Sequence, residues 1–229
     1  MTPDKFFDWA IVDPPYGGAG GEFLRADGSR FGGRFDRYKY DAGGGYINRT
    51  GGTWAAKFGK KIIAWDNAPR EEYFNELFRV SKQQIVWGGN YFGLPPNRCF
   101  LVWHKTNIPE NFSMAMAEYA WCSMNENAKL YSYTSARSKD EAHWHPTEKP
   151  VALYAWILRT FAHPGDKILD THLGSGSSRI AAYDAQCPFV GFEVDPEYFA
   201  KQEERFAAYT AQLSFLQHEI TGGSLTHGK

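Results

Sequence analysis

Four consecutive residues combine a carboxylate, two prolines and an aromatic ring. Asp13, Pro14, Pro15 and Tyr16 read D-P-P-Y and directly follow the apolar run A-I-V. A proline fixes its own φ at about −65° and keeps the residue before it out of the helical region, so the Asp13 carboxylate and the Pro14 carbonyl are held in place. Tyr16 adds a flat aromatic face. The stretch therefore predicts a rigid polar clamp beside an aromatic surface.

A second group of residues, at 167–195, is typical of a nucleoside site. It reads as a strand (K-I-L-D), a glycine turn (L-G-S-G-S), a helix and a second strand that ends in an acid. Gly174 and Gly176 would let a ligand approach the backbone where a Cβ would collide. Glu193 can accept hydrogen bonds from both hydroxyls of a ribose. The turn has neither the lysine of a Walker loop nor the G-x-G-x-x-G spacing of dinucleotide enzymes, which favours a nucleoside without a pyrophosphate. S-adenosylmethionine fits that description.

The elements that position these groups follow from apolar runs that alternate with helical patterns. Strands are predicted at 8–13, 62–65, 84–87, 99–103, 117–122, 167–170 and 188–193. Helices are predicted after a cap at Asp66 or Asn67 with Pro69 in first position, after a cap at Thr147, at 177–185, and after a cap at Asp195. Residues 123–146 look polar and irregular. Strands that alternate with helices indicate an α/β fold with a mostly parallel sheet.

Composition fits one cytoplasmic globular domain. The chain has 229 residues, of which 43% are hydrophobic and 22% charged, enough for one substantial core. Three scattered cysteines favour neither a disulfide framework nor a zinc site and fit a reducing cytoplasm. The sequence shows no signal peptide and no apolar run long enough for a membrane span. We predict a single domain at 1–218 and a flexible tail at 219–229.

Residues 17–61 differ in texture from the rest of the chain. They contain 13 of its 23 glycines, and nine Lys or Arg stand against three Asp between Arg25 and Lys61. We predict a mobile, basic, Gly-rich insertion. Such local excess of positive charge indicates a segment that binds a polyanion, and a solvated loop that is basic by chance is the alternative.

Three motifs then identify a family that the chain resembles. D-P-P-Y, H-P-T-E-K-P (145–150) and L-D-x-x-x-G-S-G occur in that order, as in the DNA amino-methyltransferases that modify adenine N6 or cytosine N4. The catalytic motif precedes the cofactor motif, which is similar to the β arrangement of that family. The resemblance covers roughly residues 8–16 and 84–208. It implies a Rossmann-like S-adenosylmethionine-dependent methyltransferase fold, with helices on both faces of the sheet.

The resemblance also implies the site residues. The catalytic set is Asp13, Pro14, Pro15 and Tyr16, and aspartate in first position favours adenine over cytosine. H-P-T-E-K-P would close over the methionine end of the cofactor, and His172 stands where the family usually has phenylalanine. Trp87, Asn90 and Tyr91 could line the base pocket, although core packing explains Trp87 equally well. The cofactor-binding residues implied are Asp13, His145, Thr147, Lys149, Asp170, His172, Leu173, Gly174, Ser175, Gly176, Ser177 and Glu193.

This assignment explains the clamp. An adenine amino group is a poor nucleophile because its lone pair is delocalised into the ring. Acceptors on both N–H bonds favour a pyramidal nitrogen whose lone pair points away from them, and a charged acceptor is about twice as strong as a neutral one. The base must leave the duplex to reach the clamp, and stacking on Tyr16 would stabilise it there by roughly 1–3 kcal/mol.

The expected partner is double-stranded DNA. Most relatives with this motif order carry a sizeable recognition region before H-P-T-E-K-P, whereas residues 123–144 here suffice only for a short recognition loop. The insertion at 17–61 is therefore the predicted DNA-contacting element, through Arg30, Arg34, Arg37, Lys39 and Arg49.

Several alternatives stay open at this point. The same cofactor could serve cytosine N4, structured RNA or a protein amide, and a non-catalytic nucleic-acid-binding protein could keep the fold. No metal site is predicted, because the pair His143 and His145 lacks further ligands at suitable spacing. A homodimer and a cognate restriction endonuclease are compatible with so small an enzyme.

Overall fold

A computed structural model of the chain describes residues 2–16, 23–24, 30–31, 67–110, 115–135, 144–145 and 147–222, with backbone alone at 23–24, 30–31 and 214–222. The strands in these ranges are β1 (Phe7–Val12), β2 (Phe23–Leu24), β3 (Arg30–Phe31), β4 (Ser81–Trp87), β5 (Phe100–Lys105), β6 (Ala117–Cys122), β7 (Lys129–Tyr133), β8 (Ile168–Asp170) and β9 (Phe189–Gly191). The helices are α1 (Glu71–Val80), α2 (Val151–Phe161), α3 (Ser177–Asp184) and α4 (Pro196–Gly222).

Seven of these strands form one sheet in the order β7-β5-β6-β4-β1-β8-β9. Strand β1 pairs in parallel with β4 and β8, β8 pairs in parallel with β9, and β5 pairs in parallel with β7. Strand β6 is antiparallel to both of its neighbours. The predicted mostly parallel α/β sheet is confirmed, and every strand of this sheet except β6 ends at the same edge.

Both faces of the sheet are covered by helices, as predicted. Alternate residues of a strand point to opposite faces, so Trp9 and Ile11 of β1 join one buried cluster while Ala10 and Val12 join the other. Helices α2 and α3 pack on the first face and α1 on the second. Strand β1 is thus buried from both sides, which is why its residues 9–12 read as a continuous apolar run.

Two predicted helix starts are wrong. Helix α2 begins at Val151 after Pro150, and Thr147 does not cap it, because a residue that precedes a proline, here Lys149, is disfavoured in helical conformation. Helix α1 begins at Glu71 and not at Pro69, with extended Arg70 before it and carboxylates in its first turn that favour the helix N-terminus.

The cap predicted for the last helix is confirmed. The Asp195 carboxylate accepts hydrogen bonds from the backbone N–H groups of Glu197 (2.8 Å) and Tyr198 (3.2 Å). Helix α4 then continues to Gly222, so residues 219–222 of the predicted tail are helical, while 223–229 lie outside the described part of the chain.

Strand β7 lies inside the segment 123–146 that was predicted to be irregular. It forms the sheet edge beside β5, and much of it is exposed, with Leu130 at 65%. An edge strand of this kind needs no apolar run, so the pattern K-L-Y-S-Y did not reveal it. The proposed recognition loop at 123–144 is therefore partly a strand.

Most of the basic insertion at 17–61 falls outside the described ranges, together with the predicted strand at 62–65. This applies to Arg34, Arg37, Lys39 and Arg49. The backbone at β2 and β3 forms a short antiparallel pair, with Phe23 opposite Phe31 and Leu24 opposite Arg30.

Among the described helices, none combines the length and the apolar character that a bilayer crossing requires.

The packing of α2 on the sheet predicts a large stability cost for truncating Leu153, which is fully buried. We expect Leu153→Ala to lower the free energy of unfolding by about 2–5 kcal/mol, because the substitution leaves a cavity. Urea denaturation measures this value. Leu130→Ala makes the same change on an exposed side chain and should cost less than about 0.5 kcal/mol; equal losses in the two variants would contradict the assignment of the core.

Candidate active site

The predicted motifs meet at the edge where the parallel strands end. Asp13 follows β1, Gly88 follows β4, Asp170 ends β8, and Glu193 lies two residues after β9. Ligands of parallel α/β sheets bind outside the carboxyl ends of the strands. Because β6 runs the opposite way, its first residues, Ala117 and Glu118, also lie at this edge.

Asp13 connects two of the three motifs. Its side chain is 16% exposed. Oδ1 accepts a hydrogen bond from the Tyr16 hydroxyl at 2.9 Å, and Oδ2 accepts one from Lys149 Nζ of H-P-T-E-K-P. The carboxylate of the clamp is thus fixed from both sides.

Tyr16 lies in an aromatic slot next to the clamp. Its ring stacks on Tyr91, with centroids 4.7 Å apart and planes 23° from parallel, and meets Phe92 edge-on. Gly88, at φ +65°, packs under the ring, and a Cβ there would overlap Tyr16, so this position requires glycine. Burial and then the Asp13 and Glu118 charges raise the pKa of Tyr16, which keeps its hydroxyl protonated as a donor.

The other residues proposed for the base pocket differ from Tyr91. Asn90 is exposed. Trp87 is fully buried and belongs to the core cluster, so packing accounts for it. The Lys149 ammonium lies 5.3 Å from the centroid of the Trp87 ring, close enough for a cation–π contact.

Lys149 is the centre of a charge network that the sequence did not reveal. Its Nζ lies 3.3 Å from Glu118 Oε2, and Lys105 Nζ lies 2.6 Å from Glu118 Oε1. Burial alone would lower the pKa of Lys149, but Asp13 and Glu118 outweigh it and raise that pKa. Burial alone would raise the pKa of Glu118. The ammonium groups of Lys149 and Lys105 outweigh this effect and lower that pKa.

A signal for this network existed in the sequence. Glu118 interrupts the apolar run A-E-Y-A-W-C, and Lys105 closes the run F-L-V-W-H-K. A carboxylate in such a run suggests a paired charge. Its partner could not be named, because the direction of β6 decides which residues lie opposite.

Asp170 shapes the glycine turn from inside. Its side chain is almost fully buried. Oδ1 accepts a hydrogen bond from His172 N at 3.0 Å and Oδ2 accepts one from the Ser178 hydroxyl at 2.6 Å. The pKa of Asp170 is raised to about 6, mainly by burial and also by the charges of Asp13 and Glu193, although both hydrogen bonds lower it.

His145 and Glu193 meet at Gly174, which has φ +53°. A Cβ on this glycine would lie 3.0 Å from two atoms of the His145 ring. Gly174 N donates to Glu193 Oε2 at 2.8 Å, and Asp195 N donates to Glu193 Oε1 at 2.9 Å. The acid is therefore held in one orientation directly beside the turn.

The remaining predicted residues form the wall of the turn. Leu173, Ser175, Gly176 and Ser177 are buried and Thr147 is exposed. The Ser175 and Ser177 hydroxyls lie 3.1 Å apart. Arg205 of α4, which the sequence did not indicate, donates to Ser175 O at 2.9 Å and pairs with Glu148 Oε1 at 2.9 Å. This residue joins H-P-T-E-K-P to the turn.

The chemistry of this end fits a nucleoside. Glu193 is half-buried, and exposed Phe192 (58%) and Val194 (86%) flank it as apolar surface for a base. At Gly174 and Gly176 the space that a Cβ would take is occupied by the His145 and Gln202 side chains. Across the described ranges, no three His, Cys, Asp or Glu side chains converge on a metal site.

Two groups of the turn predict opposite effects of pH on stability. Burial raises the Asp170 pKa from 3.8 to about 6, so its stabilising contribution is complete below 3.8 and is lost as the pH rises through 6. Burial lowers the His172 pKa from 6.5 to about 4, so its contribution is present above 6.5 and is lost as the pH falls through 4. Relative to wild type, Asp170→Asn should gain stability as the pH rises and His172→Gln as it falls, each by up to about 3 kcal/mol.

Urea denaturation at intervals between pH 4 and 7 measures both differences. Each variant serves as the control for the other, because the expected slopes have opposite signs. Parallel curves for the two variants would contradict the burial of these groups.

Comparisons with known proteins give relatives that share part of the chain. YubD of Escherichia coli (strain K12) is 38% identical over 64 residues, which are 28% of this chain and 28% of YubD. The type II methyltransferase M2.DpnII of Streptococcus pneumoniae is 25% identical over 134 residues, 47% of this chain and 50% of that protein. The matches thus span half or less of these curated relatives.

A solved structure shares the fold. The cytosine-N4-specific PvuII DNA methyltransferase superposes with a TM-score of 0.51 at 14% identity, over 90% of this chain and 81% of that one. A family described as DNA methylase matches residues 53–204. That range holds H-P-T-E-K-P, the glycine turn and Glu193, and it lies after D-P-P-Y. Since the match extends over more than half of its length, this chain belongs to the DNA methylase family.

Proposed function

We propose that the protein transfers the methyl group of S-adenosylmethionine to the N6 amino group of an adenine flipped out of double-stranded DNA. One observation carries the proposal. Lys149 bonds Asp13, and His145 of the same motif packs on Gly174. The acceptor for an amino group and the turn for a nucleoside therefore both contact one short segment, 145–149.

The clamp would act by accepting hydrogen bonds from the target amino group. The Asp13 carboxylate and the Pro14 carbonyl are the acceptors, and they favour a nitrogen whose lone pair points away from them. Tyr16 and Lys149 hold the carboxylate before the base arrives, so little reorganisation is needed when it binds.

The aromatic slot would receive the extruded base. Tyr16 and Tyr91 stack on each other, and Tyr91 is 51% exposed. The Tyr91 ring covers one face of Tyr16 and would be displaced when a base stacks there. Each stacked base gains roughly 1–3 kcal/mol on such a surface, which offsets part of the cost of leaving the duplex.

The glycine turn would hold the cofactor. Glu193 would bind the ribose hydroxyls, Phe192 and Val194 would contact the adenine ring, and His145 and Lys149 would enclose the methionine end. When bound, S-adenosylmethionine supplies a methyl group on a sulfonium that a nitrogen nucleophile can attack directly. The chain orients the two reactants and needs no covalent enzyme nucleophile. Asp170 and Arg205 support this arrangement through the turn.

The choice of adenine rests on Asp13, since relatives that modify cytosine tend to have serine in that position. Cytosine N4 is the second candidate for the methylated position, and an experiment must distinguish it from adenine N6. The DNA contacts of Arg30, Arg34, Arg37, Lys39 and Arg49, a homodimer, a partner endonuclease and a cytoplasmic location stay predictions.

Removing the charge of the clamp should abolish most of the activity. We expect Asp13→Asn to lower the methylation rate on the order of 100-fold or more, because an electrostatic contact with the reacting group is weakened. Purified protein, labelled cofactor and unmethylated double-stranded DNA are incubated, and the DNA is digested to nucleosides. Labelled N6-methyladenine supports the proposal. Labelled N4-methylcytosine would show that cytosine, and not adenine, is the target base. Wild-type protein that labels neither base would refute the proposal. Asp4→Asn is the matched control, since Asp4 pairs with Arg79 on the surface.

Truncating the ribose acceptor should weaken cofactor binding. We expect Glu193→Ala to raise the Kd of S-adenosylmethionine on the order of 10-fold to 100-fold, because hydrogen bonds to a charged acceptor are lost. The Kd of Glu193→Gln should lie between the values for Glu193→Ala and for the wild type. Titration calorimetry without DNA measures the constants. Glu204→Ala removes an exposed carboxylate of α4 and should bind as wild type does; a similar loss there would show that the effect is not local.

A further inference from the structure

We propose that Glu118 and Lys105 are a positioning pair for the transfer: they hold the Lys149 ammonium in place, and through it the Asp13 carboxylate. The kinetic part of this inference rests on the proposed function. Neither residue belongs to the three motifs, and both reach the site through strands β5 and β6.

The geometry forms one chain of ion pairs. Asp13 Oδ2 bonds Lys149 Nζ, Lys149 Nζ lies 3.3 Å from Glu118 Oε2, and Glu118 Oε1 lies 2.6 Å from Lys105 Nζ. Each oxygen of Glu118 thus faces a different lysine. The side chains of Lys149 and Lys105 are 4% and 9% exposed, so solvent screens these pairs little.

The charges of the chain balance. Two carboxylates and two ammonium groups alternate, and a buried charge is tolerated when it is paired. The lowered pKa of Glu118 and the raised pKa of Lys149 agree with this arrangement. Without Glu118, Lys149 would keep Asp13 as a partner, whereas Lys105 would lose the carboxylate that it pairs with.

The consequence concerns the availability of Asp13. An ammonium has three donors in no fixed plane, and Glu118 draws part of them away from the clamp. With Glu118 neutral, Lys149 would turn to Asp13 alone and compete with the incoming amino group for its oxygens. Glu118 therefore leaves the carboxylate oriented but able to accept a bond from the base.

Lysine acylation followed by mass spectrometry tests the positioning without any turnover. The variant Glu118→Gln keeps the shape of the side chain and removes its charge. We expect acylation of Lys149 and Lys105 in the full-length protein to rise severalfold, because both ammonium groups lose a partner. The matched control is Glu126→Gln, which makes the same change in a surface pair 3.3 Å from Lys129 and should leave Lys149 unaffected.

Kinetics separate positioning from simple support of the fold. For Glu118→Gln we expect kcat for DNA methylation to fall on the order of 10-fold to 100-fold, because Lys149 then occupies the Asp13 oxygens that must accept bonds from the amino group, while KM for DNA and Kd for the cofactor stay as in wild type. Glu118→Asp keeps the charge on a shorter side chain and should be intermediate in both kcat and Lys149 acylation.

The outcomes decide the inference in either case. Unchanged Lys149 acylation in Glu118→Gln overturns it, and so does a lower Tm with unchanged kcat, which a merely structural ion pair would give. If Glu118→Gln does not fold, Glu118→Asp with wild-type acylation and kcat overturns it. Wild-type protein that methylates no DNA counts against the proposed function, and the acylation result then decides this inference by itself.

Discussion

One ion pair, between Asp13 and Lys149, joins residues 136 positions apart in the chain. It holds the end of β1 against the segment that precedes α2, and that segment lies on the glycine turn after β8. The pair depends on parallel strands that end at one edge, because only then do loops from distant parts of the chain meet there. The candidate active site consists of the residues that these loops bring together.

A buried ion pair is a costly way to join two segments. Removing two charges from water can cost more than their attraction returns, unless further partners compensate. Here Glu118, Lys105 and the Trp87 ring supply those partners. Such a network adds little to the stability of the fold, and its benefit is orientation: a carboxylate held in one place is ready for its ligand.

The glycine turn shows the same division between support and contact. Both carboxylate oxygens of Asp170 accept hydrogen bonds from the turn and its helix. Glu193, in contrast, is half-buried at the rim and is held by two backbone N–H groups. Gly174 and Gly176 adopt positive φ, a conformation that costs glycine little. The absence of a Cβ at Gly174 allows His145 to pack directly on the backbone.

The sequence by itself determined the local units: the apolar run of β1 that ends at Asp13, the strand and glycine turn before α3, the Asp195 cap and the α/β class. Each depends on neighbours within a few residues, so periodicity and turn chemistry reveal it. The tertiary structure alone decided that β6 runs antiparallel, that Glu118 faces Lys105 and Lys149, that Trp87 is core, and that the half-exposed residues 129–133 form an edge strand. Those features depend on which strands pair and in which direction, and long-range pairing leaves no local pattern in the chain.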